Sequence, residues 1–377
     1  MQERPVDRFG FVMEQTLGHR THYRNLRRYV EQEASVTSTW LPIEFEPSGA
    51  LAKIPLLRSN WSARASWLAH RAITAARAQT PFDALLYHTQ VTALLSPFQR
   101  DVPIVVSLDA TPINYDTVGA YYGHTAGGPL ESLKLRANQR AFAHAAALIV
   151  WRAWAKDSLV NDYGVPAEKI HVISPGVDLA QWPHITLEDR LVASAGRLPR
   201  LLFVGGDFAR KGGQILLDCF ARDVSGRCEL DIVTQTSLTP PPGVRLHTTL
   251  TPNSDELKRL YAEADIFVFP TLADCAPLAV PEAMAASLPV VTSRVGAIPE
   301  MIEDGVTGLL VAPGDGDGLR VALERLLQSP QLRVQMGAAA RATAERVDDA
   351  GHNAARVLDV LRSVSSRKSA TMQGSVS

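Results

Sequence analysis

The sequence predicts an α/β protein of two domains, each a parallel sheet covered by helices. Three observations predict it. Short apolar runs alternate with longer amphipathic stretches along the chain, the pattern of repeated strand–helix units. The length of 377 residues exceeds what one core usually organises. A stretch without strand character, 181–200, interrupts the alternation and ends in Gly196-Arg197-Leu198-Pro199-Arg200.

Taken in order, the runs at 9–13, 84–87, 104–108, 147–150 and 171–173 are the expected strands of the first domain. Those at 201–204, 230–233, 244–246, 266–269, 290–292 and 309–311 are the expected strands of the second. The expected domains are 1–185 and 186–350. A helix over 351–362 is a candidate to cross back to the first domain. The serine-rich end, 363–377, reads as a disordered tail.

Composition excludes several functions. Hydrophobic residues make up 46% and charged residues 20%, as in an ordinary soluble globular protein. A net charge of −1 argues against general nucleic-acid binding. Cys219, Cys228 and Cys275 show no metal-ligand spacing, so neither a disulfide framework nor a zinc site is expected. Residues 1–10 are polar and charged, unlike a signal peptide. The longest apolar run, 141–151, is too short to span a bilayer and carries His144. The expected location is a reducing cytoplasm.

The most informative stretch is 270–291, PTLADCAPLAVPEAMAASLPVV. It joins the run at 266–269 to an alanine-rich helix and sets Asp274 and Glu282 eight residues apart. A strand-to-helix turn at the carboxyl edge of a parallel sheet is where open α/β folds bind ligands. A helix N-terminus there offers backbone N–H groups to an anion. Two carboxylates flanking a phosphate make sense if each holds a sugar hydroxyl, one on a nucleotide's ribose and one on the hexose it carries. The simpler alternative is a buried strand followed by a core helix.

A second loop suits the same ligand. After the run at 201–204 come Gly205 and Gly206, which permit a tight turn. Arg210 and Lys211 then bring two cations to the mouth of the next helix, chemistry suited to a diphosphate. The alternative is a solvated pair in a surface turn. No dinucleotide fingerprint opens either half, and the G-x-x-x-x-G-K-[ST] phosphate loop is absent.

The 270–291 stretch resembles the signature of the family-4 retaining glycosyltransferases, glutamate–seven residues–glutamate followed by Ala-Met-Ala, with Asp274 in place of the first glutamate. The 203–213 loop resembles that family's donor-phosphate loop. Lys211 and Gly212 match it, while Gly206 stands where the family has arginine, so Arg210 is the candidate to supply that charge. Two further stretches, 163–178 and 296–308, are similar to the family's hinge-side run and post-signature loop. The likeness is strong from about 150 to 315 and weak before that.

The resemblance implies two Rossmann-like domains facing across a cleft, the GT-B architecture. It implies transfer of a sugar from a nucleotide diphosphate sugar to an acceptor hydroxyl of a saccharide or lipid-linked acceptor, with retained configuration. Donor contacts would come from Gly205, Gly206, Arg210, Lys211, Asp274, Cys275, Ala276, Pro277, Leu278 and Glu282. No metal and no cofactor are expected beyond the donor substrate.

This sequence departs from the family in instructive places. Cys275-Ala276-Pro277 replaces a Gly-Phe-Gly turn, and Pro277 removes one N–H donor. Nothing near Cys275 in sequence would lower its pKa, which favours a structural role. Asp109 falls where the family often has histidine. It either joins the catalytic set or makes an Asx turn ahead of Pro112.

Around the first loop, Gly18 permits close approach of a ligand, and His19 and His22 are candidates to face the acceptor or the leaving phosphate; His88 is a further candidate on the acceptor side. The helix after that loop carries Arg20, Arg24, Arg27 and Arg28, a basic face that is either solvated or in weak contact with an anionic membrane. Asp315-Gly-Asp317 imitates a metal-binding pair, but its place after a Pro-Gly turn makes it a helix cap. A sugar-nucleotide epimerase, or a homologue that binds nucleotide sugars without turnover, remains the alternative function.

Overall fold

The computed structural model describes residues 6–16, 18–44, 60–96, 101–118 and 131–374. The chain divides into two compact units. The first holds the described residues up to 113, those from 131 to 175, and the chain from Ala350 onward. The second holds Gly176–Asp349 with a short segment that begins at Asn114.

The chain runs β1 (Asp7–Glu14), α1 (His19–Val30), β2 (Val36–Ile43), α2 (Trp61–Arg77), β3 (Ala84–His88), β4 (Ile104–Leu108), α3 (Pro112–Thr117), α4 (Glu131–His144), β5 (Ala147–Val150), α5 (Ala153–Asn161) and β6 (Ile170–Val172). It continues with α6 (Leu187–Ser194), β7 (Arg200–Val204), α7 (Gly213–Cys219), β8 (Glu229–Val233), β9 (Val244–His247), α8 (Asp255–Glu263), β10 (Ile266–Phe269), α9 (Ala279–Ala285), β11 (Val290–Ser293), α10 (Ile298–Met301) and β12 (Gly308–Val311). Three helices, α11 (Gly316–Gln328), α12 (Pro330–Val347) and α13 (Ala350–Gly374), complete it.

Each unit holds one six-stranded sheet, in the orders β2-β1-β3-β4-β5-β6 and β12-β11-β10-β7-β8-β9. Every pairing is parallel. The strands are apolar on both faces because helices cover both. On β1, Phe9, Phe11 and Met13 pack with α1 and α13, while Val12 faces the cluster built with α2. Helix starts follow local capping: Asn60, Thr186, Ser254, Asp315 and Ser329 each accept a backbone N–H from the first turn. Asp315 is therefore a cap, as expected from the sequence.

The structure corrects the strand list in one place. β2 has no counterpart among the expected strands. It is an edge strand whose residues are mostly half-exposed, and Pro42 argues against a strand on sequence grounds. The strandless interval 181–200 contains α6.

The expected tail is also corrected. α13 continues through Gly374, so 363–374 extend the helix that was expected to stop at 362; residues 1–5 and 375–377 lie outside the described residues. Two physical causes account for it. The buried stripe Val357, Leu358, Leu361 and Val364 carries past that point. The hydroxyls of Ser363, Ser365 and Ser366 donate to carbonyls one turn back, at 2.8, 3.0 and 2.7 Å, so serine does not compete with the helix here.

α13 belongs to the first unit and is fastened there. Arg362 donates to Asp7 Oδ2 at 3.1 Å and to Ser35 Oγ at 2.9 Å, and Arg356 donates to the Val172 carbonyl at 2.9 Å. Leu361, fully buried, is the test of this docking. Leu361→Ala should lower stability by about 2–4 kcal/mol, read as a shift in the urea unfolding midpoint of the first unit. A midpoint unchanged from the parent chain would show that α13 does not hold that unit together.

Candidate active site

In each sheet the chain reverses direction once. β7 leads through β8 to β9 on one side, and β10 then returns to the other side of β7. Loops leaving two such neighbouring strands part company, and the crevice this leaves at their carboxyl ends is where open α/β sheets hold ligands. In the second unit those loops follow β7 and β10. They carry the expected donor-binding residues.

The two loops are tied by their backbones. The Leu272 N–H donates to the Arg210 carbonyl at 2.9 Å, and the Thr271 hydroxyl donates to the same oxygen at 3.3 Å. Gly212 has φ +76°, and a Cβ there would lie 1.9 Å from the Pro270 carbonyl oxygen. Only glycine satisfies both conditions. Gly296, at φ +54°, meets the carbonyls of Asp274 and Cys275 in the same way. The Ala297 N–H donates to the Cys275 carbonyl at 2.8 Å, which locks the loop after β11 onto the turn after β10. Gly205 lets Lys211 lie against the strand end, whereas, among the described residues other than its chain neighbours, none comes within 4 Å of a Cβ at Gly206.

The charged residues show a division of labour different from the simple one. Arg210 is nearly buried and spent on structure, with Nε 3.0 Å from Asp207 Oδ2 and Nη1 2.8 Å from the Ala273 carbonyl. Lys211, by contrast, forms an ion pair with Asp274, and its ammonium lies 5.3 Å from the Phe269 ring centroid. Burial lowers the Lys211 pKa while Asp274 opposes that shift. Lys211 and Asp274 therefore sit together in one place, a pairing between two loops that the sequence did not show.

Cys275, Ala276 and Pro277 are buried, and Leu278 is half-buried at the start of α9. Glu282 lies within α9, almost fully buried, and Oε2 accepts the Tyr261 hydroxyl at 3.1 Å. Burial raises the Glu282 pKa to about 7. Between the ordinary value of 4.5 and about 7 the folded protein keeps a proton that the unfolded chain has released. Stability contributed by this group therefore falls as pH rises through that window.

The first unit repeats the topology. β1 leads to β2 on one side and β3 returns on the other, so the loops after β1 and β3 flank its switch point. Three of the expected acceptor-side residues meet there. His19 Nδ1 lies 2.8 Å from His88 Nε2, and His88 Nδ1 lies 3.3 Å from Ser107 Oγ. The rings of His19, His22 and His88 surround Trp151 at centroid distances of 5.6, 5.4 and 5.5 Å.

Burial lowers the pKa of His22 to about 3 and holds that of His88 well below its ordinary value, so both rings are neutral. Among the described residues, His22 Nδ1 and Trp151 Nε1 are buried without a hydrogen-bond partner. Asp109, half-buried after β4, has its pKa raised by burial, and nearby His19 opposes that shift. Gly18 needs no special conformation, since its φ is −63°. Its expected close-approach role gains no support from its backbone geometry.

Several residues were missed. Glu14 ends β1, is nearly buried, accepts hydroxyl bonds from Thr16 and Thr89, and stands 3.9 Å from His19 Nε2. A carboxylate closing an apolar run was the available signal. Asp207, which anchors Arg210, could be read from its i,i+3 spacing. Trp151 and Tyr261 carry no local signal, because their partners come from other strands and helices. Among the described residues, no three His, Cys, Asp or Glu side chains are grouped to hold a metal ion. None of the described helices is long and apolar enough to cross a membrane.

Two Rossmann-like units, each a six-stranded parallel sheet covered by helices, define the GT-B class of fold. Residues 18–181 match the model described as Glycosyltransferase Family 4, and residues 198–329 match that described as Glycosyl transferases group 1. The chain belongs to this glycosyltransferase family.

It is 34% identical over 203 residues to the MMP alpha-(1->4)-mannosyltransferase of Mycolicibacterium hassiacum, a match covering 50% of this chain and 47% of that one. It is 33% identical over 200 residues to a D-inositol 3-phosphate glycosyltransferase of an Arthrobacter strain, covering 48% and 47%. The matched part spans about half the length of these curated relatives.

In fold it is similar to a sucrose-phosphate synthase from Thermosynechococcus elongatus, with TM-score 0.74, 17% identity, and 95% and 98% of the two chains covered. It is also similar to Anabaena HepE in complex with UDP and glucose, with TM-score 0.67, 17% identity, and 95% and 100% covered.

The loop geometry yields a contrast in glycine substitutions. Gly212→Ala and Gly296→Ala should each cost about 2 kcal/mol or more, since a Cβ meets a carbonyl and φ is positive. Gly206→Ala should stay within about 0.5 kcal/mol. Thermal unfolding of the three variants checks this, and equal midpoints would remove the close approach as a constraint.

Proposed function

We propose that the chain transfers a sugar from a nucleotide diphosphate sugar to a hydroxyl of a saccharide or lipid-linked acceptor, with retained configuration and without a metal. One observation carries this reading: Lys211, Asp274 and Glu282 lie in and beside the loops of one switch point, in the order of the family signature. In this reading Lys211 neutralises the leaving diphosphate. That charge develops in the transition state, where a preorganised cation lowers the barrier most. Asp274, paired with Lys211, holds the hexose next to that phosphate. Glu282 accepts the ribose hydroxyls. Arg210 braces the loop and adds to its positive field. The histidine cluster of the first unit, with Asp109, binds the acceptor.

Incubation with a panel of UDP-, GDP- and ADP-sugars, read by mass spectrometry and by nucleotide release, tests transfer. Release of nucleotide diphosphate that requires an acceptor supports it. An epimerised donor without release would instead favour the epimerase, and binding without turnover the non-catalytic homologue. On the active donor, Lys211→Ala should lower turnover by about a hundredfold with the fold intact. Arg210→Ala should also lower the unfolding midpoint, because it empties the Asp207 and Ala273 contacts. Wild-type turnover in Lys211→Ala would remove the phosphate role.

Glu282 makes the reading pH-dependent. Ribose hydroxyls donate to the ionised carboxylate, so nucleotide binding should strengthen as pH rises through about 7 and should release a proton. Calorimetry in buffers of different ionisation enthalpy measures that proton. Glu282→Gln should weaken nucleotide binding and abolish the pH dependence. A pH-independent parent affinity contradicts the assignment.

Arg20, Arg24, Arg27 and Arg28 lie exposed on α1, whose other face is buried. We assign this face weak contact with an anionic membrane surface. Cosedimentation with phosphatidylglycerol vesicles should fall with rising salt and with Arg24→Glu. Binding insensitive to both would reject it.

A further inference from the structure

Glu282 is held by more than its own helix. Tyr261, on α8, is fully buried, its ring edge-on to Trp182 at 4.9 Å and stacked on Phe267 at 5.6 Å. A ring fixed in this way places its hydroxyl at one point, 3.1 Å from Glu282 Oε2. The far end of α9 is fixed as well. Arg341 of α12 donates to the Ala285 carbonyl at 2.5 Å, and Arg190 of α6 donates to the Ala286 carbonyl at 2.6 Å. Three elements thus set the position of one carboxyl group. A carboxylate has two oxygens with about four acceptor directions, and Tyr261 occupies a direction on only one oxygen.

We propose that Tyr261 is a positioning residue for the nucleotide: its hydroxyl orients Glu282 through Oε2 and presents Oε1 to the vicinal hydroxyls of a ribose. This rests on the ribose role given to Glu282 above. Tyr261 is well placed for a constant task. Burial raises its pKa well above the ordinary value, so the phenol stays a donor throughout the pH range of the protein. Among the described residues, Tyr261 is the ionisable side chain that acts directly on Glu282, and its hydrogen bond favours the ionised carboxyl against burial. The guanidinium groups of Arg190 and Arg341 face the carbonyl end of the same helix.

The test uses Tyr261→Phe, Glu282→Gln and the double variant of the full chain. UDP, GDP and ADP and their 2′-deoxy counterparts are titrated by calorimetry. Tyr261→Phe should weaken ribonucleotide binding by about tenfold and reduce the preference for ribose over deoxyribose. In the Glu282→Gln background the same substitution should change affinity by less than about twofold, because the two groups act as one. An equal loss in both backgrounds overturns the proposal.

Carbon-13 titration of the Glu282 carboxyl, assigned by its loss in Glu282→Gln, gives a ligand-free readout. Its midpoint should move up in Tyr261→Phe. If Glu282→Gln binds every nucleotide like the parent, the ribose role fails, and the titration still decides the fate of Tyr261. An unmoved midpoint overturns the positioning role whatever the nucleotides do.

Discussion

The second unit depends on the close approach of two loops at the reversal of its sheet. Gly212 sits against the Pro270 carbonyl where no side chain fits, and Arg210 spans from Asp207 to Ala273. From this approach follow the Lys211–Asp274 pair and the start of α9 that carries Glu282. The loops are short, and the Leu272 N–H of one bonds the Arg210 carbonyl of the other.

The charges at this site are costly to bury, and the structure shows how the cost is contained. Burial lowers the Lys211 pKa, and Asp274 beside it opposes that shift. Glu282 has no cation among the groups that shift it, and a single phenol only partly offsets its burial. Its proton affinity consequently lies near neutrality. In the proposed reading, a ligand that donates hydroxyls offsets that burial. The raised pKa and the proposed ribose contact both concern a carboxyl group whose charged form burial disfavours.

The first unit uses the same topology with different chemistry. Its switch point gathers three histidines around Trp151, with Glu14 beside His19. Imidazole rings and an indole N–H offer hydrogen bonds and apolar faces there.

The sequence by itself determined the alternation of strands and helices and the turns after the runs at 201–204 and 266–269, where Lys211 and Asp274 stand. Apolar runs and glycine-rich turns are local, so periodicity and composition reveal them. Edge strand β2 escaped because half-exposed residues and Pro42 erase the pattern that buried strands show. Only the tertiary structure decided that Arg210 is a brace, that Lys211 and Asp274 form one pair, and that His19 meets His88 across 69 positions of chain. It also decided that Tyr261 reaches Glu282 from another helix. These facts depend on which loops the sheet order makes neighbours. Sheet order is set by burial of whole faces and not by any residue near the site.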